Sequence, residues 1–140
     1  MRLENWPRRL DDAVSAARSL QFEWGVHDCC ILAANLIQEI TGVDIAAGYR
    51  GTYSTEAEAT AIIEAAGGFV PLIHSACSQL GWARSKTSLA RRGDLVVRIL
   101  PETGMPSLGV CLGAQSVFPA LIRGVAFFPT KEAVNVWRVE

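Results

Sequence analysis

Apolar positions recur at helical spacing in the first half of the chain and at strand spacing in the second. Leu10, Ala13, Val14, Ala17 and Leu20 fall on one face of a helix predicted over 7–20, with Arg and Asp between them and Pro7 in the first turn. Gly25 interrupts the segment 21–27. A second helix is predicted over 28–41, with Asp28 as its N-cap and Gly42 as its stop. Its interior is small, apolar and nearly uncharged, the pattern of a buried helix. Residues 43–53 read as a loop. Ser54 or Thr55 caps a third helix running to Ala66, closed by Gly67-Gly68, and a fourth helix fits 70–80. The period then changes. Residues 85–93 form a polar, basic connector, and strand-like runs follow at 94–100, 108–112, 116–120, 124–128 and 135–139, punctuated by glycine or proline. Helices first and an antiparallel meander of about five strands afterwards predict an α+β class, as a single domain over 1–140.

Composition narrows the function classes. Half of the residues are hydrophobic and only 19% are charged, so the chain can bury a real core and is not globally disordered. Thirteen basic and fourteen acidic residues nearly cancel, which gives no general electrostatic grip on nucleic acid or an anionic membrane. The longest apolar runs, 29–35 and 120–129, fall far short of a membrane span, which needs ~20 residues. The N-terminus, with acidic residues early and no apolar stretch, does not read as a secretory signal peptide. The four cysteines, Cys29, Cys30, Cys77 and Cys111, include no Cys-x-x-Cys pair and are expected to be reduced. Low charge on a small chain implies either a large core or apolar surface that meets a partner.

Candidate chemistry concentrates between Trp24 and Cys30. With Asp28 as cap, Cys29 lies in the first turn of the helix, where unpaired backbone N–H groups and the positive dipole end favour thiolate over thiol. Gly25 permits close backbone approach and Trp24 can wall a pocket. Cysteine is also a common core residue, and Cys30, facing Ala33, Ala34 and Ile37, is expected in the core. A thiolate nucleophile needs a base. The two histidines are His27, on the segment entering the helix, and His74, inside the fourth helix, where a structural role is expected. Neither sits where a conventional Cys–His pair places its base. The cysteine and histidine spacing matches no familiar zinc pattern, and the glycine-rich pieces lack a phosphate-loop context, so no metal or cofactor is expected.

In order and spacing, the motifs from Trp24 to Val139 resemble the NlpC-type superfamily of bacterial cell-wall cysteine peptidases. The family's Asp-Cys-Ser-Gly at a helix start corresponds to Asp28-Cys29-Cys30-Ile31, and its Gly-Asp-Leu-Val strand to Gly93-Asp94-Leu95-Val96. Its His-Val-Gly-Ile-Tyr-Leu-Gly strand corresponds to Ser107-Leu108-Gly109-Val110-Cys111-Leu112-Gly113, and its closing Trp strand to Val136-Trp137-Arg138-Val139. The resemblance implies a papain-like fold with Cys29 as nucleophile. It also exposes a departure: the base position is Ser107, and a serine cannot take up a proton near neutral pH. The family's third polar residue falls near Phe118-Pro119 and is lost as well. The candidate site is then Cys29, with Ser107 at the position of the missing base and His27 as the alternative base. Trp24, Asp28 and Tyr49 are the candidate cleft residues.

More closely, Phe22-x-Trp24-Gly25-x-x-Asp28-Cys29, Gly42-Val43-Asp44, the 49–53 segment and the Leu108–Gly113 strand resemble a phage and prophage family. Its members resemble the peptidase component encoded with siphophage and gene-transfer-agent tail-tip proteins. That resemblance implies a component of the distal virion tail, assembled in the bacterial cytoplasm, with the hub and central fibre proteins as partners. The expectation is then a degenerate peptidase-like fold with a mainly structural role. The alternative is an active peptidoglycan endopeptidase that uses Cys29 during cell entry, with peptidoglycan as partner.

Overall fold

The change of hydrophobic period after Gly81 is where helices give way to strands. The computed structural model describes residues 1–140. Its four helices are α1 (Trp6–Ala17), α2 (Cys29–Thr41), α3 (Glu56–Ala65) and α4 (Phe69–Gln79). Six strands follow: β1 (Arg84–Ser85), β2 (Leu95–Ile99), β3 (Pro106–Cys111), β4 (Gln115–Pro119), β5 (Val125–Pro129) and β6 (Asn135–Trp137). They form one antiparallel sheet in the order β1-β6-β2-β3-β4-β5. The α+β class and the antiparallel sheet agree with the sequence pattern. The expectation of about five meandering strands is corrected in two ways. Arg84–Ser85, at the edge of the segment read as a connector, pairs with Trp137 and Val136 as a sixth strand, and β6 inserts between β1 and β2.

Local signals explain the helix ends. Asp28 Oδ1 accepts from the Ile31 amide at 2.9 Å and starts α2, and Gly42, with φ +78°, ends it in the left-handed conformation. Thr55, rather than Ser54, caps α3: its hydroxyl accepts from the Glu58 amide at 3.1 Å. Glu58 in return accepts from Ser54 N–H, one residue before the cap. α1 ends three residues before the predicted Leu20. There the chain turns off to meet the β4–β5 turn: Leu20 O accepts from Gly124 N–H and Gln21 bridges Arg123.

α2 is buried nearly all round because it lies between α1 and the sheet. Leu36, Ile37 and Ile40 join Leu10 of α1 and Leu95, Val97, Leu108, Val110, Val117 and Trp137 of the sheet in one core. Strand alternation sends Val96, Cys111, Phe118 and Val136 to the other face, where Phe128 and the turns flanking residues 90 and 133 cover them. Asp94 ties the chain ends to this sheet. It is fully buried and accepts from Arg2 Nη2 (3.3 Å), Arg91 N–H (2.8 Å) and Val139 N–H (3.1 Å). Burial lowers the Arg2 pKa, and the Asp94 charge opposes that shift. α3 is the loosest of the four helices: none of its residues is fully buried.

Candidate functional site

The segment entering α2 is a tight turn closed on itself. Val26 and His27 amides donate to Glu23 O, and Gly25, at φ +81°, donates its N–H to Asp28 Oδ2 at 2.8 Å. A Cβ at Gly25 would lie 2.2 Å from Tyr53 O, so glycine is required both by conformation and by contact. Tyr53 itself donates its hydroxyl to Asp28 Oδ2 at 2.6 Å. Asp28 therefore accepts three hydrogen bonds while 2% exposed. It holds the helix start and the 43–53 loop in place rather than facing an open cleft. Arg50 anchors the same loop, reaching Asp44 Oδ2 and, on α2, Asn35 Oδ1, both at 2.7 Å. Its hydrogen bonds hold the Asp44 carboxyl below the usual carboxylate range.

This framework sets Cys29, half-buried, at the first position of α2. Its sulfur lies 4.0 Å from that of Cys30. Hydrogen bonding from the Cys30 thiol, together with the Leu108 amide and the Ser107 hydroxyl, draws the Cys29 pKa below the usual thiol range against burial and the Asp28 charge. The same contact and burial push Cys30 well above its ordinary value, so Cys30 remains a thiol. The Leu108 amide is free to serve the sulfur because β4 pairs with β3 at Val110 and Cys111 and not at Leu108. Cys29 and Ser107, distant in sequence, thus meet at the start of β3.

The other candidate residues are placed as follows. His27 is 1% exposed, with Nε2 at 3.0 Å from Gly124 O and Nδ1 buried without a partner. His74 is on the solvent side of α4, and its Nδ1 accepts from Trp137 Nε1 at 3.2 Å. Trp24, half-buried, packs edge-on against Phe22 with ring centroids 5.1 Å apart. Tyr49, 38% exposed, lines an apolar cavity beside α2 together with Tyr53. Cys30 packs against the main core, as the helix pattern suggested, but is only half-buried and also lines the same cavity. Phe118, at the third polar position, stacks edge-on against Phe128.

Sequence reasoning left out Tyr53, the Leu108 amide and the cavity side of Cys30. Tyr53 carried a usable signal, a polar-tipped aromatic closing a loop just before a helix cap. The Leu108 amide carried none, since any residue has one. The arrangement supplies a thiol whose ionisation is favoured, a hydroxyl and a backbone N–H donor, and no imidazole among the groups that favour it.

Residues 1–139 match the model of a family described as a domain of unknown function (DUF6950). No curated protein matches the chain. No single helix is long and apolar enough to cross a membrane.

Proposed function

The chain belongs to the DUF6950 family, and we propose that it is a phage or phage-derived tail-tip component with a degenerate papain-like, NlpC-type fold. One observation carries the reading: the side chain beside the Cys29 sulfur at the start of β3 is the Ser107 hydroxyl, while His27 and His74 bond to Gly124 O and Trp137 Nε1. Peptide hydrolysis by a thiolate needs a group that gives a proton to the leaving amine. The serine hydroxyl is far too weak an acid to supply that proton near neutral pH. The residues that would orient an imidazole are gone too, since Phe118 packs on Phe128. The scaffold outlives the chemistry, which suits a structural part of the distal tail held by the hub and central fibre proteins.

Exposed apolar side chains support a role among neighbours. Leu121 and Ile122 on the β4–β5 turn are 82% and 85% exposed, and Met105 on the β2–β3 turn is 57% exposed. Both turns lie at one end of the sheet, because antiparallel β3 leaves the first and β4 runs into the second. Cys29 sits at that same end. The test is twofold. Mass spectrometry and cryo-microscopy of purified tails should find the chain at the tip, and purified protein should release no soluble fragments from peptidoglycan. Cys29-dependent release overturns the degenerate reading and establishes the second one, an active endopeptidase used at entry. The depressed Cys29 pKa is the observation that favours that alternative.

A further inference from the structure

Beside Cys30, the neighbour of Cys29 on α2, lies a partly open cavity of about 70 Å³ whose thirteen lining residues are all hydrophobic. It is walled by α2, the 43–53 loop, α3, α4 and β3, with Cys30, Tyr53, Ile62, Ile63, Leu72 and Leu108 among its walls. Tyr53 turns its hydroxyl to Asp28, and Cys30 keeps its proton, so no charge faces the interior. Such a space favours an apolar guest over water. It is about half the ~150 Å³ of an apolar cavity that takes up benzene, so it suits a short chain rather than a long one.

Two of the walls also touch the nucleophile position. The Cys30 sulfur is 4.0 Å from that of Cys29, and the Leu108 amide comes near enough to Cys29 to favour its ionisation. A thiolate without an acid–base partner is poorly suited to cleaving an amide, whose amine must be protonated to leave. It is well suited to exchange with a thioester, because the leaving group is itself a thiolate and departs unaided. We infer that Cys29 and this cavity form a capture site for a short saturated acyl group delivered as a thioester. In the step, the Cys29 thiolate attacks the acyl carbonyl, a carbon–sulfur bond to Cys29 forms and that to the carrier thiol breaks. The carrier leaves as its thiolate with the electron pair and takes a proton from water. One thioester is exchanged for another with no oxidation or reduction. The chain of the acyl group lies in the cavity against Ile62, Ile63 and Leu72. This goes beyond the tail-tip reading and does not depend on where the domain is assembled.

The test treats the intact protein with acetyl, butanoyl and dodecanoyl thioesters of N-acetylcysteamine, follows adducts by intact-mass and peptide mass spectrometry, and scales each rate to that of a small free thiol. The expected adduct is on Cys29, with butanoyl favoured over acetyl by about tenfold from the burial of its extra methylenes, and dodecanoyl below butanoyl. Cys29→Ser should give none. Ala59→Leu, which fills the cavity from the loosely packed α3, should collapse the butanoyl preference. That comparison is internal to one protein and so survives a change in its stability. No adduct on Cys29, adducts spread over the other cysteines, or equal scaled rates for the three chains overturns the inference. Peptidoglycan release, measured separately, reports only on the tail-tip reading.

Discussion

The Tyr53 hydroxyl donates to Asp28 Oδ2 at 2.6 Å and thereby clamps the 43–53 loop onto the N-terminus of α2. Burial, and then the Asp28 carboxylate, push the phenol far above its usual range, so the donor keeps its proton through ordinary alkaline pH. Tyr53→Phe removes one of three bonds to a buried carboxylate. The expected loss is about 1.5–3 kcal/mol in urea unfolding. Asp28→Ala, which strips the cap as well, should cost more than Tyr53→Phe. Equal stability of Tyr53→Phe and wild type would show that the clamp contributes nothing.

Gly25 occupies the left-handed region and its Cα faces Tyr53 O. Gly25→Ala combines backbone strain with a contact against main chain that cannot rotate away. A loss of roughly 2–4 kcal/mol is expected in thermal or urea unfolding, with slower folding of the α2 start. Gly51→Ala, also at positive φ but with open space around it, should cost less.

The pH dependence of Cys29 alkylation has a definite sign. Hydrogen bonds to the sulfur favour the thiolate and lower its pKa, the Cys30 contact most. Iodoacetamide should therefore modify Cys29 at lower pH than a free cysteine, whose pKa is about 8.5. Cys30→Ala removes the leading donor and should move the alkylation midpoint upward. Ser107→Ala should move it upward by less. A midpoint unmoved in Cys30→Ala contradicts the assignment. Peptide mapping of the adduct separates Cys29 from Cys77, whose burial raises it to about 12.

Asp94→Ala leaves Arg2 without its carboxylate partner, with only the Arg92 and Val139 carbonyls to accept from it, and the Arg91 and Val139 amides without an acceptor. Loss of one member of a buried ion pair costs about 3–5 kcal/mol. Calorimetry should show a melting point lower by about 9–25 °C, at roughly 3–5 °C per kcal/mol for a domain of this size. Asp94→Asn, which keeps an acceptor, should fall between.

The parts of the fold visible in the residues are those decided within about four positions. Asp28, Gly42 and Thr55 announce helix ends because a cap bonds its own first or last turn. The runs around Leu95 and Val110 read as strands because alternation and β-branched side chains are local properties. β1 was not visible, since Arg84 and Ser85 become a strand only by pairing with Trp137 and Val136. Nor was the early end of α1, which follows from the pairing of Gln21 with Arg123.

For the site, the residues alone determined that Cys29 opens a capped helix, by identity and spacing along the chain, while Ser107 at the base position was implied by the resemblance to the NlpC-type superfamily. The tertiary structure decided the rest: the approach of the Leu108 amide to Cys29, His27 on Gly124 O, and Cys30 as both core contact and cavity wall. Each joins groups whose meeting depends on how α2 docks against the start of β3 and beneath α3 and α4. That docking is set by the packing of the whole core, so no window of the sequence contains it.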